Sequence, residues 1–418
     1  MAPELKRKRE DDVSFPKNKI KVLLLEGVSE VGIKMLQNDG FQVEALKTAL
    51  TEAELMEKVK DIHILGIRSK TQVPPAVIDQ ANRLLAIACF CIGTDQVDWR
   101  YANKVGIPVF NAPFANTRSV AELIIGNIIG LSRKIGDCTA AMHRGAWFKV
   151  ALGCYEIRGK TLGLVGYGHI GAQLSVCAES MGMKVIYYDV IPKLPMGNAT
   201  QVATMEELLS TSDFVSLHVP NLASTVDLIG EKEISQMRQG SFLLNASRGK
   251  VVTIPALAAA LKSGHLRGCY VDVFPEEPGK NGENLFESEL RGCPNMLMTP
   301  HVGGSTEEAQ AKIGEEVAFS LLKVINTGST HGSVNFPEVD LPACPGSHRI
   351  LCTHKNVPGV LSQVNAILAA SGANISQQFL STKDSVGYVV IDLNTEASEE
   401  VKKKIALMDA VLRVRVLH

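Results

Sequence analysis

The sequence predicts an α/β protein built of two doubly wound parallel-sheet units, one inserted within the other, and a small βαββαβ module at the end. Three observations carry this expectation. Apolar runs of strand length alternate with helical patterns from Lys21 to about Ile325. A glycine-rich turn lies between two such runs, but far from the chain start, so a complete α/β unit precedes it. Residues 346–418 follow the order strand, helix, two strands, helix, strand, which is the ferredoxin-like order.

The chain has 418 residues, enough for two or three domains, and 45% hydrophobic residues, ample for packed cores. Its formal net charge of −1 gives no global field toward nucleic acid or membrane. The nine cysteines are scattered, and the Cys89/Cys91 pair alone is poor zinc spacing, so free thiols and no metal are expected. No signal-peptide core or peroxisomal tripeptide is seen, and Leu123–Leu131 is too short to span a bilayer. A cytoplasmic location is therefore expected. Residues 1–19 form a polar tail. Its run Lys6-Arg7-Lys8-Arg9 has two readings, a nuclear localisation signal and a solvated tail, and the second is the commoner use of such a run.

The first unit reads as strands at Lys21–Leu25, Gln42–Ala45, His63–Ile67, Leu84–Phe90 and Ile107–Phe110. A capping box from Thr51 to Glu54 opens one of its helices. A long helical pattern from Asn116 to about Leu131 is expected to bridge to the second unit. There the strands are Thr161–Val165, Met183–Tyr188, Phe214–Val219, Ser241–Ala246, Tyr270–Val273 and Met296–Met298. A second long helix, Thr306 to about Ile325, returns the chain to the first unit, leaving a cleft between the two. The expected division is 20–115 with 314–340 for the outer domain and 116–313 for the inserted one. Val334–Pro345 is Pro-rich and reads as a linker to a separate module, 346–418.

Gly166-Tyr167-Gly168-His169-Ile170-Gly171 follows one strand and opens a helix, and the next strand ends at Asp189. That is the order of a Rossmann-like dinucleotide site. Gly166 permits the tight turn, Gly168 lets the backbone approach a pyrophosphate, and Gly171 lets the helix sit close to its strand. The helix start at His169 and Ile170 offers N–H groups to the phosphates. Asp189 would accept from the ribose hydroxyls and repel a 2′-phosphate, favouring NAD over NADP.

Three polar residues sit just beyond strand ends of the second unit, where open α/β sheets bind ligands. They are Arg248 in Asn245-Ala246-Ser247-Arg248-Gly249, Glu277 in Asp272-Val273-Phe274-Pro275-Glu276-Glu277-Pro278, and His301 in Thr299-Pro300-His301-Val302-Gly303-Gly304. Singly, each has a bland reading as a loop residue. Together they suit oxidation of a secondary alcohol. Imidazole takes the hydroxyl proton near neutral pH, a carboxylate orients it, and a guanidinium pairs with a substrate carboxylate. Arg68 and Ser69 follow another strand end, and cation plus hydroxyl suits a phosphate dianion, although a capped loop reads equally well.

The chain resembles the D-isomer-specific 2-hydroxyacid dehydrogenases, of the short bacterial type with one C-terminal ACT domain. The resemblance covers about residues 20–418. It rests on the motifs above, the stretch Phe110-Asn111-Ala112-Pro113-Phe114-Ala115-Asn116-Thr117-Arg118-Ser119-Val120-Ala121-Glu122, and Thr299 to Thr306. It implies two Rossmann-like domains, cofactor domain inserted in substrate domain, plus the ferredoxin-like ACT module. It implies NAD-dependent oxidation of D-3-phosphoglycerate to 3-phosphohydroxypyruvate, the entry to serine synthesis. By resemblance Arg248, Glu277 and His301 are catalytic; Glu277 is chosen over Glu276 because it directly precedes Pro278. Arg68, Ser69, Asn116 and the backbone at Ile92-Gly93 would hold substrate, and Asp272 would lie near the nicotinamide amide. Lys149, next to Trp147, would reach a neighbouring subunit's site. His354, Asn356 and Asn374 would bind L-serine as effector at a domain–domain interface, in a homo-oligomer expected to be a tetramer.

Two other readings compete. One is a different D-2-hydroxyacid dehydrogenase, a glyoxylate or 2-oxoglutarate reductase; Arg68 opposes the former but suits the distal carboxylate of the latter. The other is a non-catalytic NAD-sensing corepressor of the same fold. Such proteins end in a disordered segment, whereas this chain ends in a folded pattern, which favours the enzyme.

Overall fold

The computed structural model describes residues 16–279, 281–343, 348–394 and 399–417. The Lys6–Arg9 run and Pro345 lie outside the described residues. The chain divides into two compact units, Met1–Ala115 with Gln310–His418, and Asn116–Ala309.

The first unit is organised around a five-stranded parallel sheet. Its strands are β1 (Lys21–Leu24), β2 (Gln42–Ala45), β3 (Ile64–Ile67), β4 (Ala86–Cys89) and β5 (Val109–Phe110), in the order β2-β1-β3-β4-β5. The order reverses between β1 and β3, so the ends of these two strands flank the switch point. Helix Glu52–Lys58 starts with the expected capping box: Thr51 accepts from the Glu54 N–H, and the Glu54 carboxylate accepts from the Thr51 N–H. Helix Glu307–Asn326 buries Ile313, Val317, Leu321 and Val324 against the β1 and β4 side chains. Asn335 then fastens the returning chain to the β5 edge, accepting from the Val109 N–H at 2.8 Å and donating to Ile107 O at 2.9 Å.

The second unit has seven parallel strands. They are β6 (Thr161–Val165), β7 (Lys184–Tyr188), β8 (Thr200–Gln201), β9 (Phe214–Leu217), β10 (Ser241–Asn245), β11 (Leu266–Val271) and β12 (Met296–Met298). Their order, β12-β11-β10-β9-β6-β7-β8, reverses between β6 and β9. Helix Thr117–Ser132 does not bridge, as the sequence suggested. Val120, Ile124, Ile128 and Leu131 pack it wholly into this unit, with Leu162, Leu164 and Leu174. The division falls at Ala309/Gln310 rather than at residue 313. A further helix, Ile135–His143, and the short β8 were not read from the sequence.

The C-terminal module has strands β13 (His348–Lys355), β14 (Ile375–Lys383), β15 (Val386–Leu393) and β16 (Val411–Leu417), with helices Val360–Ala370 and Glu399–Ala406. All pairs are antiparallel, in the order β14-β15-β13-β16. One face packs on the two helices through Ile350, Cys352, Val364 and Ile405.

The other face corrects the expectation of a linker and a separate module. Phe336, Val339 and Leu341, from the Pro-rich stretch, form a buried cluster with Leu351, Tyr388, Val390 and Leu417. Arg349 pairs bidentately with Asp392 at 2.6 and 2.8 Å, both side chains being buried, and donates to Thr327 O and Pro342 O. The Tyr388 hydroxyl donates to Gly328 O at 2.7 Å. Proline there ends helices without preventing burial, so a Pro-rich stretch can serve as a packing surface.

Candidate active site

The glycine turn after β6 has the features a dinucleotide needs. Gly166 has φ +92°, and a Cβ there would lie 2.5 Å from His218 O at the end of β9. A Cβ on Gly171 would lie 2.6 Å from Gly166 O, so the helix sits directly on the turn. A Cβ on Gly168 would meet nothing within 4 Å, so this side of the turn is open. Gly168 precedes helix His169–Ser180 and supplies no side-chain cap, and a helix start of this kind suits an anion. Tyr167 points the other way. Its ring stacks on Tyr187, and its hydroxyl bonds Ser175 at 2.8 Å. Asp189 is held by the Tyr167 N–H at 2.9 Å and the Ile191 N–H at 3.2 Å, one to each carboxylate oxygen. These residues fit an NAD adenosine and pyrophosphate.

Beyond β10, β11 and β12 the structure brings Arg248, Glu277 and His301 together. His301 Nδ1 lies 2.8 Å from Glu277 Oε2, and the Phe274 N–H donates to Oε1 at 3.0 Å. The hydrogen bond to Glu277 raises the His301 pKa above the usual imidazole value against the opposing cost of burial, with Asp272 also raising it and Arg248 lowering it. For Glu277 burial pushes upward, but the bonds from His301 and Phe274 and the charge of Arg248 outweigh it and hold the carboxyl below its usual range. With Glu277 ionised, Nδ1 must donate, and the Nε2 lone pair is left to accept a proton. The Arg248 loop is pressed on the Glu277 loop, since a Cβ on Gly249 would overlap the Phe274 carbonyl. Asn245 accepts from the Ser247 N–H and hydroxyl and donates to Arg248 O, fixing the turn that carries the guanidinium.

Asp272 also has a part in the protein's own structure. It is 1% exposed and spends both oxygens on the His301 turn. The Val302 and Gly303 N–H groups donate to it at 2.8 Å each, the Thr299 hydroxyl donates to it, and the His301 N–H donates to its carbonyl at 2.8 Å. Tyr270 continues the chain to Thr299. This network holds His301 at φ +54°, a left-handed conformation that non-glycine residues rarely adopt. Thr299 and Tyr270 were not read from the sequence; no spacing signals a hydroxyl behind such a turn. Asn116 also lies in this unit, beside Gly304 and just before helix Thr117–Ser132. Its buried Oδ1 has no hydrogen-bond partner among the described residues. Lys149 is exposed, in a loop with Trp147, Phe148 and Leu152, which are 78%, 75% and 85% exposed.

In the first unit Arg68 and the exposed Ser69 directly follow β3. Buried Gln96 donates to Arg68 O at 2.7 Å and to Gly93 O at 3.2 Å, tying the Arg68 loop to the Ile92-Gly93 loop. Asn111 donates to Ile92 O at 2.6 Å.

The residues expected to bind an effector are not brought together within one chain. Asn356 follows β13 at the end where Lys355 pairs with Val386, and Asn374 precedes β14 at the end where Ile375 pairs with Leu393. These are opposite ends of the module. His354, expected to face the effector, is 3% exposed; its ring fills the space over Gly387, and its Nδ1 contacts Lys355 O.

The comparisons agree with this geometry. Residues 125–303 match the model of the D-isomer specific 2-hydroxyacid dehydrogenase NAD binding domain, and residues 350–413 match the AHAS small subunit-like ACT domain. A D-3-phosphoglycerate dehydrogenase of Dictyostelium discoideum is 56% identical over 97% of this chain and 99% of its own. The enzyme of that name from Escherichia coli K12 is 52% identical over 97% and 99%. A solved protein of Thermus thermophilus superposes with a TM-score of 0.69 at 31% identity, over 75% of this chain and 100% of its own. The chain belongs to the D-isomer specific 2-hydroxyacid dehydrogenases. It is an NAD-dependent oxidoreductase with a C-terminal ACT domain. No helix among the described residues is long and apolar enough to cross a membrane.

Proposed function

We propose that the protein oxidises D-3-phosphoglycerate to 3-phosphohydroxypyruvate with NAD. The observation that carries this reading is the His301–Glu277 pair beside Arg248, in a chain that also bears a cation and a hydroxyl, Arg68 and Ser69, at a second strand end. The carboxylate at carbon 1 pairs with Arg248, which also draws electron density from the carbon 2 oxygen as it becomes a carbonyl. His301 Nε2 takes the carbon 2 hydroxyl proton, and ionised Glu277 stabilises the imidazolium that results. The nicotinamide, when bound, accepts the hydride from carbon 2. Arg68 and Ser69 hold the distal phosphate. A distal carboxylate has similar chemistry, so reduction of 2-oxoglutarate at the same residues is the second reading.

L-serine is the proposed effector. Asn356 and Asn374 lie at opposite ends of one module, so one small amino acid meets both only where two modules pair end for end. Exposed Phe379 and Leu380 on the edge strand β14 suit such pairing, and the exposed Trp147 loop beside Lys149 suits a second contact between copies. The assembly is accordingly a homo-oligomer, a tetramer if both contacts form. An NADH-formation assay on D-3-phosphoglycerate, with and without L-serine, tests the reading. Turnover that serine suppresses without competing with substrate supports it. No NADH from D-3-phosphoglycerate rejects it.

A further inference from the structure

The switch point of the first sheet, where open α/β sheets take their ligands, is filled by the chain's own carboxylate. Glu26 follows β1 and is only 9% exposed. Its Oε1 accepts from the Arg68 N–H at 3.2 Å and the Thr71 N–H at 2.8 Å, and its Oε2 accepts from the Lys70 N–H at 2.9 Å. Its main-chain carbonyl accepts from Arg68 Nη1 at 3.3 Å. Every side-chain bond of Glu26 thus goes to the loop after β3.

Converging main-chain N–H groups of this kind form a nest that binds anions. Here the nest already holds an anion, so it has little left to offer a substrate phosphate. The backbone at Glu26 is also unusual. It has φ +66°, and Gly27 follows at φ +67°. A non-glycine residue in this region is strained and persists where the surroundings impose it. The Glu26 N–H bonds Thr48 O and the Gly27 N–H bonds Leu46 O, which fix the turn.

We propose that Glu26 is a positioning residue for phosphate recognition. It shapes the Arg68–Thr71 loop from within, so that an incoming phosphate is met by the side chains of Arg68 and Ser69 and not by the backbone. The proposal rests on the phosphate-holding role given to Arg68 above. Glu26 belongs to the first unit, and the Gly166 turn and His301 belong to the second, so its loss should leave the nucleotide and proton-transfer residues in place.

Two measurements on the full-length protein test this. The first compares D-3-phosphoglycerate with D-glycerate, which lacks only the phosphate. Glu26→Gln keeps the shape but loses the charge and one acceptor. It should raise KM for D-3-phosphoglycerate about tenfold, the worth of roughly one charge-assisted hydrogen bond. kcat/KM for D-glycerate and NADH affinity should stay within about twofold. Glu26→Gln added to Arg68→Ala should cost little more than Arg68→Ala alone, because the two act through one contact. Equal losses on both substrates, or full additivity, overturn the proposal. The second measurement is amide hydrogen exchange at Arg68, Lys70 and Thr71, which needs no substrate. Exchange there should be slow in the parent and markedly faster in Glu26→Gln; unchanged exchange overturns the proposal. A parent enzyme that does not prefer D-3-phosphoglycerate over D-glycerate rejects the substrate reading and with it the role in phosphate recognition. The exchange data alone then decide whether Glu26 orders the loop.

Discussion

The His301 corner of the second unit and the C-terminal module arrange their polar residues in opposite ways. In the corner, three residues from three loops converge. Each follows a parallel strand, and parallel strands deliver all their C-terminal ends to one side of the sheet. In the module, the sheet is antiparallel, and residues near in sequence are sent to opposite ends, as Asn356 and Asn374 are. A parallel sheet can therefore complete a polar site within one chain. An antiparallel module of this size keeps its two ends apart within one chain. The corner is also supported from behind by buried side chains, Asp272, Thr299 and Tyr270, whereas Asn356 and Asn374 are exposed.

The largest expected effect lies in the corner. His301→Ala should lower turnover by about two to four orders of magnitude, the usual worth of a positioned general base. NADH binding, measured by fluorescence, should stay near the parent value, because the glycine turn and Asp189 belong to other loops. Near-normal turnover would remove the convergence argument, since the corner would then be assembled for something else.

The next effect tests how the module is attached. Arg349→Met strips Asp392 of its bidentate partner and leaves the buried carboxylate uncompensated. It also removes the donor to Thr327 O and Pro342 O. Breaking such a buried pair costs about 3–5 kcal/mol. Chemical denaturation of the parent and variant measures it. An unchanged midpoint would mean that the apolar cluster of Phe336, Val339 and Tyr388 holds the module without the ion pair.

A smaller change concerns pH. In the proposed reaction oxidation needs neutral His301, and Glu277 raises the His301 pKa. The parent rate should therefore fall on the acid side from a pH above the ordinary imidazole value of 6.5. In Glu277→Gln the raising contact loses its charge, and that acid limb should move to lower pH, with a modest loss of rate. The stability contribution has its own sign. A raised folded pKa stabilises where His301 is charged, fully below about 6.5, and this is lost as pH rises through the folded value. An acid limb that stays in place in Glu277→Gln would assign it to another group.

Much of the corner was legible because its signals are local. Gly166 and Gly171 are forced by close backbone approach, and Arg248, Glu277 and His301 each stand just past an apolar strand. What was not legible depends on contacts between distant loops. Nothing near Glu26 announces that its carboxylate caps the loop at Arg68, and nothing near Asp272 announces the turn at Val302. The burial of His354 was hidden for a related reason. Strand β13 is buried on both faces over Arg349–His354, so alternation gives no exposed side, and the cover on one face comes from a Pro-rich stretch that reads as a linker.

The smallest effect bears most directly on the comparison, because it asks whether one module or two make the effector site. Asn356→Ala alone and Asn374→Ala alone should each abolish serine inhibition while leaving uninhibited turnover intact. If the site lies between two modules, each pair has two sites, and each site takes Asn356 from one copy and Asn374 from the other. Denaturing and refolding the two variants together then yields mixed pairs. In a mixed pair one site carries both substitutions and the other carries neither. Random assortment makes about half the pairs mixed, so the mixture should recover roughly a quarter of the parent's serine capacity. Equilibrium dialysis with labelled serine measures that quantity. A mixture that binds no serine, while each variant stays folded and active, would return both asparagines to a single chain, against their placement at opposite ends of the sheet.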